Sequence, residues 1–447
     1  MRASFPRRWP PLAALSLFLA AAVGSVAEPG DPLPAGAVRV GTSGDYQPFS
    51  VAAEGEAPLR GFDIALIEAW AEDTGRPVIW VPFRWPKLMA AFEDGKFDIV
   101  ASGITMRPER SVAGRFTVPV AETSPVVLAR PPERFRGLPD LDRPQIRIAV
   151  NAGGHLERVA RARFPRAHLV AVPDNHAVLP LLQEERVHAV VTDSVEATHW
   201  KAAVGVPVRQ LGPLSADRKA WWVHPARAEL VRELDAWLLA READGTLARL
   251  RQEWLGSEAA ATADPLGALL GAIDERLTLM PLVGVVKRRD GVALEVPERE
   301  VYVIDRAIAD LEAAAEREEK EAPATPALHA LFQAQIDAAK RVQWRAVKDA
   351  EYVPPALPDL DAALRPALVR IGERVAQLVL QLPADLPLET IRARARSELR
   401  APYLDDELRL ALADAIGDCL PKDPEELEAP APPEILPEDA VLPPTDA

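Results

Sequence analysis

The sequence of 447 residues holds one cysteine, Cys419, so no internal disulfide framework can organise it. Its seven histidines fall without the spacing of metal ligands, and nothing in the chain calls for a metal or a cofactor. Positive charge is scarce: 52 Lys and Arg stand against 67 Asp and Glu, for a net charge of −15. That balance argues against nucleic acid, whose phosphates need a basic patch. Beyond the first 27 residues no run approaches the ~18 apolar residues of a spanning helix, so no stable membrane association of the mature chain is expected. What the chain has in quantity is proline, 44 residues, too many for a uniformly helical protein. An apolar fraction of 48% is enough to fill the cores of two or three domains.

Residues 1–27 have the layout of a secretory signal. Arg2, Arg7 and Arg8 form a positive start, and Leu12–Gly24 is apolar but short of a bilayer's thickness. Ser25-Val26-Ala27 then supplies small residues before a cleavage point at Glu28. The expected product is exported, with its one thiol either buried or open to dimer linkage.

From Val38 to about Gly256 strand-like and helical stretches alternate. Val78–Val81, Phe97–Ala101, Arg147–Val150 and Ala189–Thr192 have strand length. Phe62–Thr74, Trp85–Asp94, Leu156–Arg163 and His176–Glu185 have helical spacing, and a helix over Arg227–Leu255 closes the body. This order predicts parallel βαβ units. After Gly256 the alternation stops at a linker, "SEAAATADP". Apolar residues then recur every three or four positions from Leu266 to about Cys419, the helix period, with breaks at Pro354–Pro358 and Leu382–Pro387. Pro421–Ala447 is rich in Pro, Glu and Asp without periodicity and reads as a disordered tail. The chain thus divides into a signal (1–27), an α/β body (36–257), a linker (258–265), an all-α body (266–420) and a tail (421–447).

Polar groups collect where strands of the first body end: Tyr46 in "GDYQPFS", Trp85, Ser102 and Thr105 in "SGIT", Arg110, Asn151 with Gly153-Gly154, and Asp193 with Glu196. In open α/β sheets that edge is the ligand crevice. Small residues there turn backbone N–H groups towards an anion, and an arginine offers a carboxylate a two-pronged fork. Tyr and Trp give flat apolar walls with a polar edge. The inventory suits a small, ring-containing carboxylic acid.

"GFDIALIEAWAEDTG", "KFDIVASGITMRPERS" and "FTVPV" resemble the two-lobed periplasmic solute-binding proteins for polar amino acids. Within that superfamily "GDYQPFS", "RWPKLM", "NAGG", "PDNHAV" and "TDSVEA" are similar to the cyclohexadienyl dehydratases, over Val38 to about Leu255. The resemblance implies a periplasmic enzyme in which Arg110 clamps a substrate carboxylate, aided by Ser102 and Thr105, while Tyr46 and Trp85 sandwich the ring. It implies Glu196 as the acid that protonates the departing hydroxyl, Lys219 as an anchor for a carboxylate, and Asn151 and Asp193 as further substrate contacts. Asp193 is where amino-acid receptors pair with an α-amino group. Two departures count against catalysis: His155-Leu156 stands where Thr-Asn is expected, and Thr123 where a basic residue is expected.

In the second body, Arg276 and Lys287 lie eleven residues apart, about 20° from one another around a single helix and on the face that carries Val283 and Val286. Arg299 opens the next helix, and Ala339 and Gln343 form an i, i+4 pair on the third. "ERL", "VVK", "LFQAQIDAAKRVQ" and "PDLDAALRPAL" resemble the secreted all-helical chorismate mutases. That resemblance implies Arg276, Arg299 and Arg365 holding two carboxylates, with Lys287 and Gln343 donating to the ether oxygen. Val303 and Ala339 depart from the pattern, and a second cysteine is missing.

The expectation is an exported bifunctional enzyme, chorismate to prephenate in one body and prephenate or arogenate to phenylpyruvate or phenylalanine in the other, with a homo-oligomer left open. The alternative is a periplasmic receptor for an amino acid or cyclic acid, carrying a mutase domain but no dehydratase activity.

Overall fold

The computed structural model describes residues 34–52, 58–256, 264–352, 354 and 356–420. The expected signal, residues 258–263 of the linker and the expected tail lie outside the described residues.

The apolar run Val38–Thr42 pairs in parallel with Val78–Pro82 on one side and Ile99–Val100 on the other. Trp222–Val223 and Arg115–Phe116 extend this sheet antiparallel. A second five-stranded sheet repeats the plan. Arg147–Asn151 lies parallel between His168–Val172 and Ala189–Asp193, and Pro125–Ala129 and Arg209–Leu211 add on antiparallel. The expected parallel units form the core of each sheet, and the antiparallel strands added at one edge make both sheets mixed. The added strands are the segments by which the chain leaves one lobe and returns to it. Each parallel core is built from βαβ crossovers, as in Phe62–Thr74, which ends at Gly75 in the left-handed conformation (φ 67°). The expected closing helix is two, Ala228–Ala243 and Thr246–Trp254, parted at Gly245 (φ 78°).

The two crossings pair with each other. Ala121–Thr123 and Asp217–Lys219 form an antiparallel two-stranded ribbon in which Arg218 faces Glu122 and Asp217 faces Thr123. Because side chains alternate along a strand, the ribbon has two working faces. Thr123, Asp217 and Lys219 turn towards the cleft between the lobes, where their partners are Asp193 and His155. Glu122 and Arg218 turn the other way, to Arg400 and Asp274 of the helical body.

The second body is helical throughout its described length apart from its turns: Pro265–Thr278, Met280–Arg289, Pro297–Arg317, Thr325–Lys348, Arg365–Val379, Leu388–Glu398 and Asp406–Asp418 are α-helices. The single helix expected to carry both Arg276 and Lys287 is corrected to two. Pro281 has no N–H to return to the preceding turn, and the helix breaks at Leu279. Cys419 is buried and its thiol is pushed up to about 12, chiefly by burial, so it is an inert packing residue. Among the described residues no helix is long and apolar enough to cross a membrane.

The helical body and the first lobe share one continuous apolar core, which runs from Val38 through Trp222 and Leu270 to Ile416. The second lobe keeps separate cores on the two faces of its sheet. At the seam Arg374 meets Asp235 at 3.1 Å and Glu275 at 3.4 Å, all three buried. Burial raises the pKa of both acids, and Arg374 opposes that rise. Arg374→Ala should therefore cost about 3 kcal/mol, because two buried carboxylates lose their cation. Urea unfolding would measure the loss. It should shrink as pH falls, since both acids then protonate and need no partner.

Candidate functional site

The strand ends of the two lobes meet around a cavity of about 380 Å³ whose walls include Tyr46, Trp85, Thr105, Arg110, Asn151, His155 and Lys219. Contacts cross from lobe to lobe. The Tyr46 hydroxyl donates to Asp193 at 3.1 Å, and the Asn175 amide donates to the Asp45 carbonyl at 3.0 Å. The lobes are closed.

Arg110 sits in the short helix Pro108–Ala113 and is 1% exposed. One of its nitrogens donates to the Thr105 carbonyl at 2.9 Å, while its Nε has no hydrogen-bond partner. Burial, reinforced by Arg107, holds its pKa well below the usual guanidinium range. No carboxylate pairs with it among the described residues. A buried cation needs an anionic partner.

Lys219 is 2% exposed as a side chain and lies 3.0 Å from Asp193, which is itself fully buried. The same Asp193 oxygen accepts from Thr123 at 2.8 Å. Thr123, where a base was expected, thus supports an acid whose cation comes from Lys219. Lys219 also donates to the Thr105 hydroxyl at 2.8 Å.

Glu196 lies in the first turn of the helix Ser194–Ala203 in the second lobe and is 1% exposed. Its pKa is raised to about 8, first by burial and further by Asp193 and Asp45. Hydrogen bonds from Thr192 and Asn175 act in the opposite sense. Asn175 donates to it at 2.8 Å and also lines the cavity, so the acid stands one side chain back from the space it would serve.

Several expectations are corrected. Tyr46 and Trp85 do not sandwich a ring: both belong to the first lobe, their centroids are 5.7 Å apart and their planes meet at 84°. Edge-to-face contact is the favoured geometry for two adjacent rings, and it leaves no slot between them. They make a corner instead, with the Trp85 indole N–H fixed on Asp45 at 3.0 Å. Ser102 is turned away from the cavity and bonds the Ser43 hydroxyl at 2.9 Å. Asp193 does not wait for an amino group, since Lys219, Thr123 and Tyr46 occupy it. Asn151, by contrast, lines the cavity, its amide on the Val172 carbonyl at 3.3 Å. Leu156 lines the wall too, and His155 sits 2.6 Å from Asp217.

Sequence reasoning missed two supports. Asn175 was visible within "PDNHAV" but received no role. Asp63 accepts from the Gly103 N–H at 2.6 Å and from Trp221 at 3.0 Å. Burial raises its pKa to about 6. Gly103 itself (φ +62°) leaves no room for a side chain, because a Cβ would lie 2.6 Å from Tyr46.

In the helical body Lys287 donates to the Leu294 carbonyl at 2.9 Å. Burial, then Arg299 and Arg365, lower its pKa, so these three cations share one neighbourhood. Arg365 rests on Asp361. Gln343 is buried with its Nε2 on Met280 Sδ at 3.4 Å and its Oε1 without a partner. Arg276 is lowered to about 10 by burial alone, and its Nη1 is unpartnered. Ala339 is buried in the apolar core, and Val303 packs half-buried against that core. Among the described residues no group of three His, Cys, Asp or Glu is placed to hold a metal.

Known proteins match the first half of this architecture. Cyclohexadienyl dehydratase of Pseudomonas aeruginosa is 33% identical over 230 residues, 50% of this chain and 84% of the relative. ABC transporter arginine-binding protein 1 of Escherichia coli is 26% identical over 227 residues, 48% of this chain and 90% of the relative. Among solved structures, the ancestral amino acid-binding protein AncCDT-1, a precursor of cyclohexadienyl dehydratase, is 30% identical with a TM-score of 0.47, covering 49% of this chain and 96% of that one. The family model matches residues 38–257, and over that span the chain belongs to the bacterial extracellular solute-binding proteins, family 3.

Proposed function

We propose that this chain is an exported enzyme that turns chorismate into prephenate in its helical body and prephenate into phenylpyruvate in its two-lobed body. The observation that carries the second step is Glu196, a buried carboxyl that stays protonated at neutral pH beside a cavity walled by Arg110 and Lys219. A receptor that only holds its ligand has no use for a proton donor there, whereas expulsion of a ring hydroxyl does. The likeness to the Pseudomonas aeruginosa dehydratase supports the same reading.

In this mechanism Arg110 grips a substrate carboxylate and the Tyr46–Trp85 corner walls the ring. The ring carboxylate leaves as CO2, and its bonding pair enters the ring, which becomes aromatic. The C4 hydroxyl leaves with the Glu196 proton as water. One prephenate dianion and one proton thus give a phenylpyruvate anion, CO2 and water. A substrate hydroxyl that displaces the Asn175 amide would reach the acid directly. Glu196 regains its proton from solvent when the lobes part.

For the helical body the support is the group of Lys287, Arg299 and Arg365. Chorismate rearrangement needs no covalent step, only a compact bound conformer and positive charge facing the ether oxygen. Incubating the pure protein with chorismate, and following chorismate loss and phenylpyruvate formation separately, tests both halves. Both signals are expected. Chorismate loss with prephenate accumulating would remove the dehydratase half alone, and unchanged chorismate with turnover of added prephenate would remove the mutase half.

A further inference from the structure

The relatives of the two-lobed body include amino-acid binders, and an amino-acid site needs a carboxylate facing the ligand's ammonium. The carboxylates around this cleft are engaged or face elsewhere, and Glu196 is held by Asn175 and Thr192. Asp193 Oδ2 receives Tyr46 at 3.1 Å, Thr123 at 2.8 Å and Lys219 at 3.0 Å, while its Oδ1 caps the following helix at Val195 N. Asp63 holds Gly103 and Trp221. Asp217 holds Ser215 at 2.9 Å and lies against His155. Asp45 keeps one oxygen unpartnered, but it lines the outer cavity beside Ser43, Arg84 and Lys87 and not the cleft. No aspartate or glutamate among the described residues lines the cleft cavity itself, whereas Arg110 and Lys219 do. The Thr105 hydroxyl accepts from Lys219, which leaves its own proton free to donate. The wall therefore offers donors and positive charge.

We infer that the cleft selects a 2-oxo acid over the 2-amino acid of the same skeleton, with the Lys219–Asp193 pair as the determinant. This rests on the dehydratase reading and specifies its substrate. An ammonium placed here would be desolvated without a free anion, whereas a keto oxygen accepts what the wall donates. A mismatch of this kind separates substrates by about 100-fold or more.

The test compares kcat/KM of the wild-type protein for prephenate and for arogenate. Prephenate should lead by about 100-fold, and Lys219→Met, which frees Asp193 to meet an ammonium, should shift the ratio towards arogenate. Equal use of both substrates by the wild type, or an unchanged ratio in Lys219→Met, overturns the inference. Titration calorimetry with phenylpyruvate and with L-phenylalanine asks the same question without turnover. If neither substrate reacts, the enzymatic reading fails, yet tighter binding of phenylpyruvate still upholds the selectivity and equal binding ends it.

Discussion

Glu196→Gln should abolish phenylpyruvate formation from prephenate, with kcat falling by ~10²- to 10⁴-fold. The amide keeps the size of the side chain and its bonds to Asn175 and Thr192, but it has no proton to yield to a leaving hydroxyl. In the proposed mechanism ligand capture rests on Arg110, Lys219 and the Tyr46–Trp85 corner, so prephenate should still raise the thermal midpoint of the variant. The pH profile of the parent carries the same signature. Burial holds the Glu196 pKa at about 8, so the donor is filled below that pH and empties above it. The rate in prephenate should be level through neutrality and fall about tenfold per pH unit beyond 8. A variant as fast as the parent, or a rate that keeps rising above that pH, would show that another group supplies the proton.

Lys287→Ala should lower kcat for chorismate loss by ~10²-fold or more while prephenate dehydration continues at the parental rate. Lys287 stands with Arg299 and Arg365, and all three crowd positive charge into one part of the helical body. On the mutase proposal the arginines would match the charges a bound dianion already carries. The ammonium would meet charge that appears only as the ether bond breaks, so its loss should register in kcat more than in KM. Dehydratase turnover in the same preparation reports whether the chain has folded. Unchanged chorismate turnover in the variant would remove Lys287 from the reaction.

The parallel cores and the helices were legible because their signals are local. Phe62–Thr74 was placed to the residue, and the onset of the helical body follows from a change of period at Gly256. What escaped depends on pairing at a distance. Trp222–Val223 and Arg115–Phe116 are two-residue strands, too short for any alternation to show. The break between Arg276 and Lys287 was written in Pro281, which the helical-wheel argument passed over. Most residues that line the cleft cavity were named in advance, but their partners were not. Lys219 and Asp193 were each assigned to a ligand, and only the return of the chain through the hinge ribbon shows that they are assigned to each other. Ser102 was misjudged for a related reason, since its neighbour Ser43 comes from another strand end.

The ribbon of Ala121–Thr123 and Asp217–Lys219 bears on what would remain if the chain were cut at residue 256. Such a fragment would keep every residue of the family match except the last, yet it would lose Asp274 and Arg400 from the outer side of the ribbon. Arg218 would be left with Glu122 alone, one position from the lysine that neutralises Asp193. The apolar residues of the first lobe that now continue into Leu270 and Ile416 would meet water. The second lobe would keep its own apolar cores. Excision would therefore not return an intact two-lobed protein. It would give a clamp with a frayed pivot and one sticky jaw, and kinetic constants measured on it would describe that fragment and not the half it came from.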